Sequence, residues 1–497
     1  MKKEALSFLL VFIFIFIISM ISQALSYEIV GYYPNWQWYD RDKLVNPQTI
    51  PYDKLTFINY AFFKPESDGN ISLTDSWADE NLLLGEMDWS TNTRKEETSI
   101  IYQSHAHGVK ILASIGGWTL SNNFPGIAAD ASKRSNFAHN CAELIRTYGF
   151  DGIDIDWEYP GYAEHNGTPD DKQNFNLLLQ AIRDTLDALG NATGKYYYLT
   201  AALPADPDKI DNIDVATISD ILDMLNIMTY DFHGAWDPIT NHNSPLYAPA
   251  QGDPEFCVDA AYRNYIAAGA PKEKINLGAP FYGRSFAGGT ELFGSHDGQA
   301  DTQTWSEDDG MPLYYNILGK WSSVGAVRYW DDQAKVPYAI YNGGFLSYDD
   351  SLSIALKASY VVEKGANGLI IWEITGDYLE DGSTPLLDAI NNVFNNAPTT
   401  SIRENLLSSN TKTYVNVYPN PFNPTTKISL FNITPNEKLS VKIYDINGNL
   451  VQTIYNGIAK DNVMSFTWNA NGISTGIYFL KVTTNNINIT KRLIYIK

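Results

Sequence analysis

Cysteine is scarce in this chain: Cys141 and Cys257 are the only two in 497 residues. Both fall in segments with helical periodicity, far apart in sequence. That excludes a disulfide scaffold and leaves two buried thiols as the expectation, with one disulfide as the alternative. Positive charge is also short. Lys and Arg number 35 against 57 Asp and Glu, a net charge of −22. Such a field repels nucleic acid and anionic lipid surfaces but carries no penalty for a neutral polymer. Charged residues make up 19% and hydrophobic ones 44%, which argues against wholesale disorder and for a large core. One long apolar run exists, Leu6–Ile21. It follows Met1-Lys2-Lys3 and precedes the small residues Ser22, Ala24 and Ser26. This is the pattern of a secretory signal peptide, and the run is somewhat short for an anchor helix. Residues 1–26 are therefore set apart from the fold.

What the chain does contain is a recurring alternation of strand and helix signals. Strand-like runs occupy 28–33, 54–62, 109–115, 150–160, 197–203, 224–230, 275–282 and 368–373. Between the fourth and fifth, Phe175, Leu178, Leu179, Ile182, Leu186 and Leu189 mark one face of a helix that ends at Gly190-Asn191. Eight such units predict an α/β fold, a (β/α)8 TIM barrel spanning 27–394. The connection after the seventh strand is too long for a loop. Residues 283–360 are read as an α+β insertion subdomain forming one wall of a cleft. Trp305, Trp321 and Trp330 within it are assigned to core packing. A linker-like stretch covers 395–412. Beyond it, 413–497 shows short alternating runs separated by Asn-Gly turns, the signature of a small all-β sandwich.

The most informative stretch is Phe150–Pro160, FDGIDIDWEYP. Read as a strand, it puts Asp154, Asp156 and Glu158 on one side and Ile153, Ile155 and Trp157 on the other. The apolar side suits a covered layer. Three acids on the opposite side repel one another and hold at least one proton at neutral pH. A solvated sheet face is the plain explanation. A catalytic acid at a strand's C-terminal end, tuned by its neighbours, is the stronger one. In a barrel of this kind the chemistry sits at those ends.

At those ends the chain resembles a glycoside hydrolase family 18 chitinase. The family's DGxDxDxE motif is Asp151–Glu158 and its SxGG motif is Ser114–Gly117. Met228-Thr229-Tyr230-Asp231 matches the sixth-strand motif, Gly278–Phe286 the seventh, and Trp372 the eighth-strand tryptophan. The resemblance implies a retaining mechanism assisted by the substrate, an exception to the two-carboxylate scheme. It implies Glu158 as acid and base, Asp156 as anchor of the acetamido N–H, and Asp154 as sharer of its proton. Tyr230 would hold the acetamido oxygen, with Asp231 beside it. Tyr32, Phe62, Gly117, Met228, Tyr282, Arg284 and Trp372 would line the reacting sugar's subsite, and Trp118 and Trp236 would stack product-side sugars. Chitin or N-acetylglucosamine oligomers are the implied ligands, with no metal and no cofactor, and a monomer suffices. The alternatives are an endo-β-N-acetylglucosaminidase acting on glycans or peptidoglycan, and a non-catalytic lectin, against which an intact Glu158 argues.

Residues 413–497 resemble the C-terminal sorting domain of the type IX secretion system, through Val417–Thr426, Ile443–Gly448 and Gly476–Phe479. That implies an extracellular or surface-attached protein and the secretion machinery as a partner. A carbohydrate-binding module is the alternative, with Trp468 as its single indole. Two remaining features receive structural readings. His105 and His107 look like a metal pair, but i,i+2 spacing does not put both on one helical face. Asp151 and His233 are expected to be structural.

Overall fold

Runs rich in Ile, Leu, Tyr and Ala form seven strands in chain order: β1 (Glu28–Pro34), β2 (Phe57–Pro65), β3 (Lys110–Gly116), β4 (Gly152–Asp156), β5 (Tyr198–Leu203), β6 (Met224–Ile227) and β7 (Ile275–Pro280). In the computed structural model, residues 27–397 are described. Of 414–495, all are described but 419, 421, 432, 434, 435, 447, 461, 462 and 485–487. The signal peptide expected at 1–26, and all of the linker expected at 395–412 beyond Ala397, lie outside the described residues. The chain divides into two units between Ala397 and Pro398.

After β7 the chain makes an antiparallel sheet of its own. Its strands are β8 (Arg284–Ala287), β9 (Val327–Asp331), β10 (Val336–Tyr341) and β11 (Gly344–Ser347), in the order β8-β11-β10-β9. The eighth barrel strand, β12 (Gly368–Trp372), follows. Barrel strands pair in parallel with their neighbours, and β1 pairs with both β2 and β12, which closes the sheet. The result is a closed eight-stranded parallel barrel.

The odd side of β4 faces the surrounding helices. Ile153 and Ile155 are fully buried, and Trp157 stacks on Phe124 with ring centroids 5.4 Å apart and meets Phe175 edge-on. Helix α1 (Ala131–Tyr148) precedes β4 and α2 (Asp171–Thr193) follows it. All six apolar positions read for α2 are buried. The helix runs past the expected stop at Gly190 to Gly194, which takes the left-handed cap position at φ 70°.

The insertion ends earlier than the boundary expected near 360. Its last strand stops at Ser347, and α3 (Ser351–Lys364) is the barrel helix leading into β12. Asp350 starts that helix by accepting from the N–H groups of Leu352 and Ser353. One turn on, the fully buried Lys357 donates to Asp349 (2.8 Å) and to Ser244 Oγ (2.6 Å). Of the three insertion tryptophans, Trp305 is core and its indole N–H donates to Tyr341. Trp321 is half-buried against the core. Trp330 is not core. It lies under the Arg328 guanidinium at 5.2 Å, at the sheet's open edge strand.

The second unit has two sheets. β13 (Tyr414–Tyr418), β14 (Thr425–Phe431) and β17 (Val463–Asn469) form one; β15 (Lys438–Tyr444), β16 (Leu450–Ile458), β18 (Gly476–Thr483) and β19 (Asn488–Tyr495) form the other. They enclose Ile428, Leu430, Val441, Ile443, Trp468 and Leu480. Trp468 is wholly buried, and its N–H donates to Gln452. It therefore offers no ring to a sugar.

Candidate active site

The site begins with the way β3 ends against β4. Gly116 has φ +116°, and a Cβ added there would lie 2.1 Å from the Asp156 carbonyl oxygen. Only glycine lets the two strand ends run this close. The next N–H, of Gly117, donates to that same carbonyl at 2.8 Å. Ser121 finishes the junction. Its Oγ accepts the Glu158 N–H at 2.9 Å and faces the carbonyl oxygens of Gly117 and Asp156 at 3.0 and 3.3 Å.

Strand β4 stops at Asp156, so Glu158 lies beyond it. The expectation of three acids on one strand face is corrected accordingly. Asp154 and Asp156 point into the barrel by strand parity. Glu158 is aimed by its bond to Ser121 and by His165, whose Nδ1 lies 2.5 Å from the Glu158 carbonyl oxygen.

The three acids sit in different surroundings. Asp154 is fully buried and accepts from Tyr32 (2.9 Å), Ser114 (2.8 Å), Thr200 (2.5 Å) and Asn226 (3.4 Å). Burial raises its pKa, and these donors oppose the rise. Asp156 has no such set. Its Oδ1 is buried without a partner in the protein. Burial, then the charges of Glu158 and Asp154, hold its carboxyl well above the usual range. Four donors fill the acceptor sites of Asp154, which favours its charged form, whereas burial and two neighbouring charges favour the neutral form of Asp156. Glu158 is pushed up to about 7, chiefly by burial; a bond from Tyr159 and the Lys209 charge pull the other way.

Tyr230 directly follows Thr229 of the sixth-strand motif and is buried. Burial and the charges of Asp156, Asp231, Glu158 and Asp154 keep it a neutral phenol, a hydrogen-bond donor at any working pH. Asp231 is held on two sides, by Tyr282 Oη at 2.5 Å and Arg284 Nε at 2.7 Å. Arg284 also lies 4.7 Å from the Trp236 ring.

The aromatic candidates divide by exposure. Trp372 is half-buried and stacks on Phe62 at 5.7 Å. Trp118 and Trp236 are 49% and 59% exposed, with rings open to solvent. Met228 and Tyr282 are buried around Tyr230. The Tyr32 ring packs against Trp372 at 5.6 Å and Phe62 at 6.5 Å. It is 1% exposed and serves Asp154 from below.

Several partners escaped the sequence reading. Thr200 and Asn226 are polar residues at inward positions of otherwise apolar strands, a signal that could have been read. Ser121 and His165 lie in loops without periodicity; the His165 ring also packs on Trp118 at 4.6 Å. Trp36 packs beside Phe62 and Trp372, and exposed Trp77 and Trp89 stack nearly parallel, 9° apart. The structural readings of two other features agree with the contacts. His105 Nε2 pairs with Asp151 at 3.0 Å, while His107 stacks on Tyr52. His233 Nδ1 pairs with Asp237.

The arrangement offers two acids whose neutral forms burial favours, Asp156 and Glu158, one donor-filled carboxylate, Asp154, and one neutral phenol, Tyr230. Comparison with known proteins agrees with it. Residues 28–377 match the model for glycosyl hydrolases family 18, and 416–497 match a secretion system C-terminal sorting domain. Chitinase A1 of Niallia circulans is 38% identical over 71% of this chain and 57% of its own length, so the chain spans little more than half of that relative. A family 18 N-acetylglucosaminidase structure from Paenibacillus barengoltzii aligns with TM-score 0.62 at 32% identity, covering 74% of this chain and 99% of that one. An Ostrinia furnacalis group II chitinase domain, solved in complex with (NAG)5, aligns with TM-score 0.66 at 29% identity, covering 75% and 97%.

Proposed function

We propose that this chain, which belongs to glycosyl hydrolases family 18, is a chitinase that cleaves β-1,4 linkages between N-acetylglucosamine units with retention, using the substrate's own acetamido group. One observation carries the reading. Glu158 is an acid pushed up to about 7 by burial, with no second free carboxylate to act as nucleophile, because donors occupy Asp154, burial and its charged neighbours favour the neutral form of Asp156, and Arg284 and Tyr282 hold Asp231. Glu158 gives its proton to the glycosidic oxygen as that bond to C1 breaks. The 2-acetamido oxygen attacks C1 and forms an oxazolinium ion. Asp156 accepts the acetamido N–H at its unpartnered Oδ1, and the Tyr230 hydroxyl donates to the acetamido oxygen. Glu158, now a carboxylate, takes a proton from the water that attacks C1, and the bond from C1 to the acetamido oxygen breaks to restore the acetamide.

Trp372 supports the reacting sugar, and the exposed rings of Trp118 and Trp236 stack on the product side. The names of the relatives and the bound (NAG)5 of one of them support chitin oligomers as ligands. The C-terminal unit is a secretion sorting domain, so the enzyme is extracellular or held at the cell surface, and the export machinery is its partner in transit. Hydrolysis of defined-length oligomers with anomer detection tests the reading. β-Anomer products, and a loss of about 10³-fold in Glu158→Gln, are expected. An α-anomer product, or wild-type rates in Glu158→Gln, would overturn it.

A further inference from the structure

Asp154 takes three of its four bonds from hydroxyls on β1, β3 and β5, and these end the matter on their sides. The fourth partner, Asn226 of β6, continues. Its Oδ1 lies 2.9 Å from Asn276 Nδ2 on β7, and Asn276 Oδ1 lies 3.0 Å from Nδ2 of Asn367, just before β12. Asn226 and Asn276 are fully buried. Asn367 is half-buried and lines a cavity of about 410 Å³ with Glu28, Thr56, Lys110 and Tyr198, at the N-terminal ends of the strands. Three amides therefore connect the catalytic carboxylates to the opposite pole of the barrel.

The direction of this chain follows from its first link. A carboxylate offers only acceptors, so Asn226 must turn its NH2 to Asp154 and its carbonyl to Asn276. That orients Asn276, which in turn orients Asn367. All three amide dipoles then point their positive ends at Asp154, and bonds in such a series strengthen one another. Three apolar side chains would fill the same space without burying three amides.

We propose that Asn226, Asn276 and Asn367 act as one oriented amide chain that holds the negative charge on Asp154 and so keeps the shared proton on Asp156. Asn276 and Asn367 are positioning residues that touch no substrate. The inference rests on the retaining-site reading above. Asp154 is faced by Tyr32 from β1, by Asp156 on its own strand and by Tyr230 beyond β6; the other strands present Ser114 and Thr200, which do not titrate. The tyrosines stay neutral, so Asp156 is the partner whose proton matters. At the far end, Glu28 and Lys110 share the cavity with Asn367.

The test is the pH profile of kcat/KM on an N-acetylglucosamine oligomer, with thermal unfolding recorded alongside. Asn276→Leu removes donor and acceptor at similar volume and frees Asn226 to turn. Charge on Asp154 becomes less favourable, so the carboxylate pair takes its second proton at higher pH. The acid limb should rise by about half a pH unit, with the plateau within a few-fold of wild type. Asn367→Leu should shift it less, in the same direction. Asn367→Gln keeps the amide, has cavity space for the added methylene, and should leave the limb in place. A lower melting temperature or plateau with an unmoved limb would overturn the inference, as would equal shifts in Asn367→Leu and Asn367→Gln. The Asn367 pair decides the matter alone if Asn276→Leu does not fold. Failure of the functional reading shows separately, as wild-type protein that releases no β-anomer.

Discussion

Replacing Gly116 by alanine tests whether the junction of β3 and β4 positions the acids. The new Cβ would lie 2.1 Å from the Asp156 carbonyl oxygen, 2.9 Å from its carbon and 2.8 Å from Phe124 Cε2, where ordinary contact starts at 3.4 Å. The Phe124 ring can turn, but the Asp156 backbone must retreat by about 1 Å. That shift passes to the Asp156 carboxyl and, two residues along the chain, to Glu158. A misplacement of about 1 Å costs roughly 10²-fold in rate, or about 2.7 kcal/mol on the barrier. The backbone itself, at φ +116°, adds about 1–3 kcal/mol of strain to the folded state. Gly108→Ala separates the two effects, because Gly108 also has a positive φ, +75°, but nothing lies within 4 Å of its added Cβ. Turnover of an N-acetylglucosamine oligomer and calorimetric melting of both variants are the measurements. Both should melt lower than wild type, and only Gly116→Ala should lose turnover. Wild-type kcat in Gly116→Ala, or equal losses in the two variants, would refute the reasoning.

Three further outcomes are expected. Glu158, Glu373 and Asp377 are each pushed up to about 7 by burial, from ordinary values of 4.5, 4.5 and 3.8. The folded state thus binds more protons than the unfolded one between those limits, and stability falls as pH rises through them. Melts should be higher at pH 5 than at pH 8, and Glu373→Gln should narrow the gap; an unchanged gap would count against the assignment. Lys357→Met leaves Asp349 buried and unpaired and should cost about 3–5 kcal/mol in urea unfolding. Adding Asp349→Leu should restore most of that, and a double variant no more stable than the single would contradict the account. Trp236→Ala removes an exposed stacking face and should raise KM for long oligomers by up to about 10-fold with kcat preserved. A collapse of kcat instead would place Trp236 in the chemistry.

The barrel was legible because each of its strands is a short apolar run, and closure needs nothing beyond eight of them in order. Asp154 and Asp156 were legible for the same reason: period two fixes their side. Glu158 lies outside that rule, and the sequence pattern could name it only through its motif, since its direction comes from Ser121 and His165 in other loops. Tyr32 shows the reverse difficulty. A strand residue near a site reads as lining, yet its hydroxyl is spent on Asp154 and its ring is buried against Phe62 and Trp372. Trp330 went to the core by default because an indole at an edge strand, shielded by one arginine, has the same composition around it as a buried one. The early end of the insertion was hidden because the cap at Asp350 is a local hydrogen-bond pattern within a continuous run of ordinary residues.

The bond between Arg284 and Asp231 ties the insertion to the reacting centre. Arg284 opens β8, the first strand of the added sheet, and Asp231 is the neighbour of Tyr230. The first strand of the added sheet and the counter-ion beside the phenol are therefore one part of the chain. A shorter or foreign insertion could not be exchanged as a passive rim. It would have to bring its own cation to the same place, or leave an unbalanced charge next to the hydroxyl on which the proposed attack depends. Descent with altered cleft walls, and redesign of them, are constrained at that position before any sugar contact is considered.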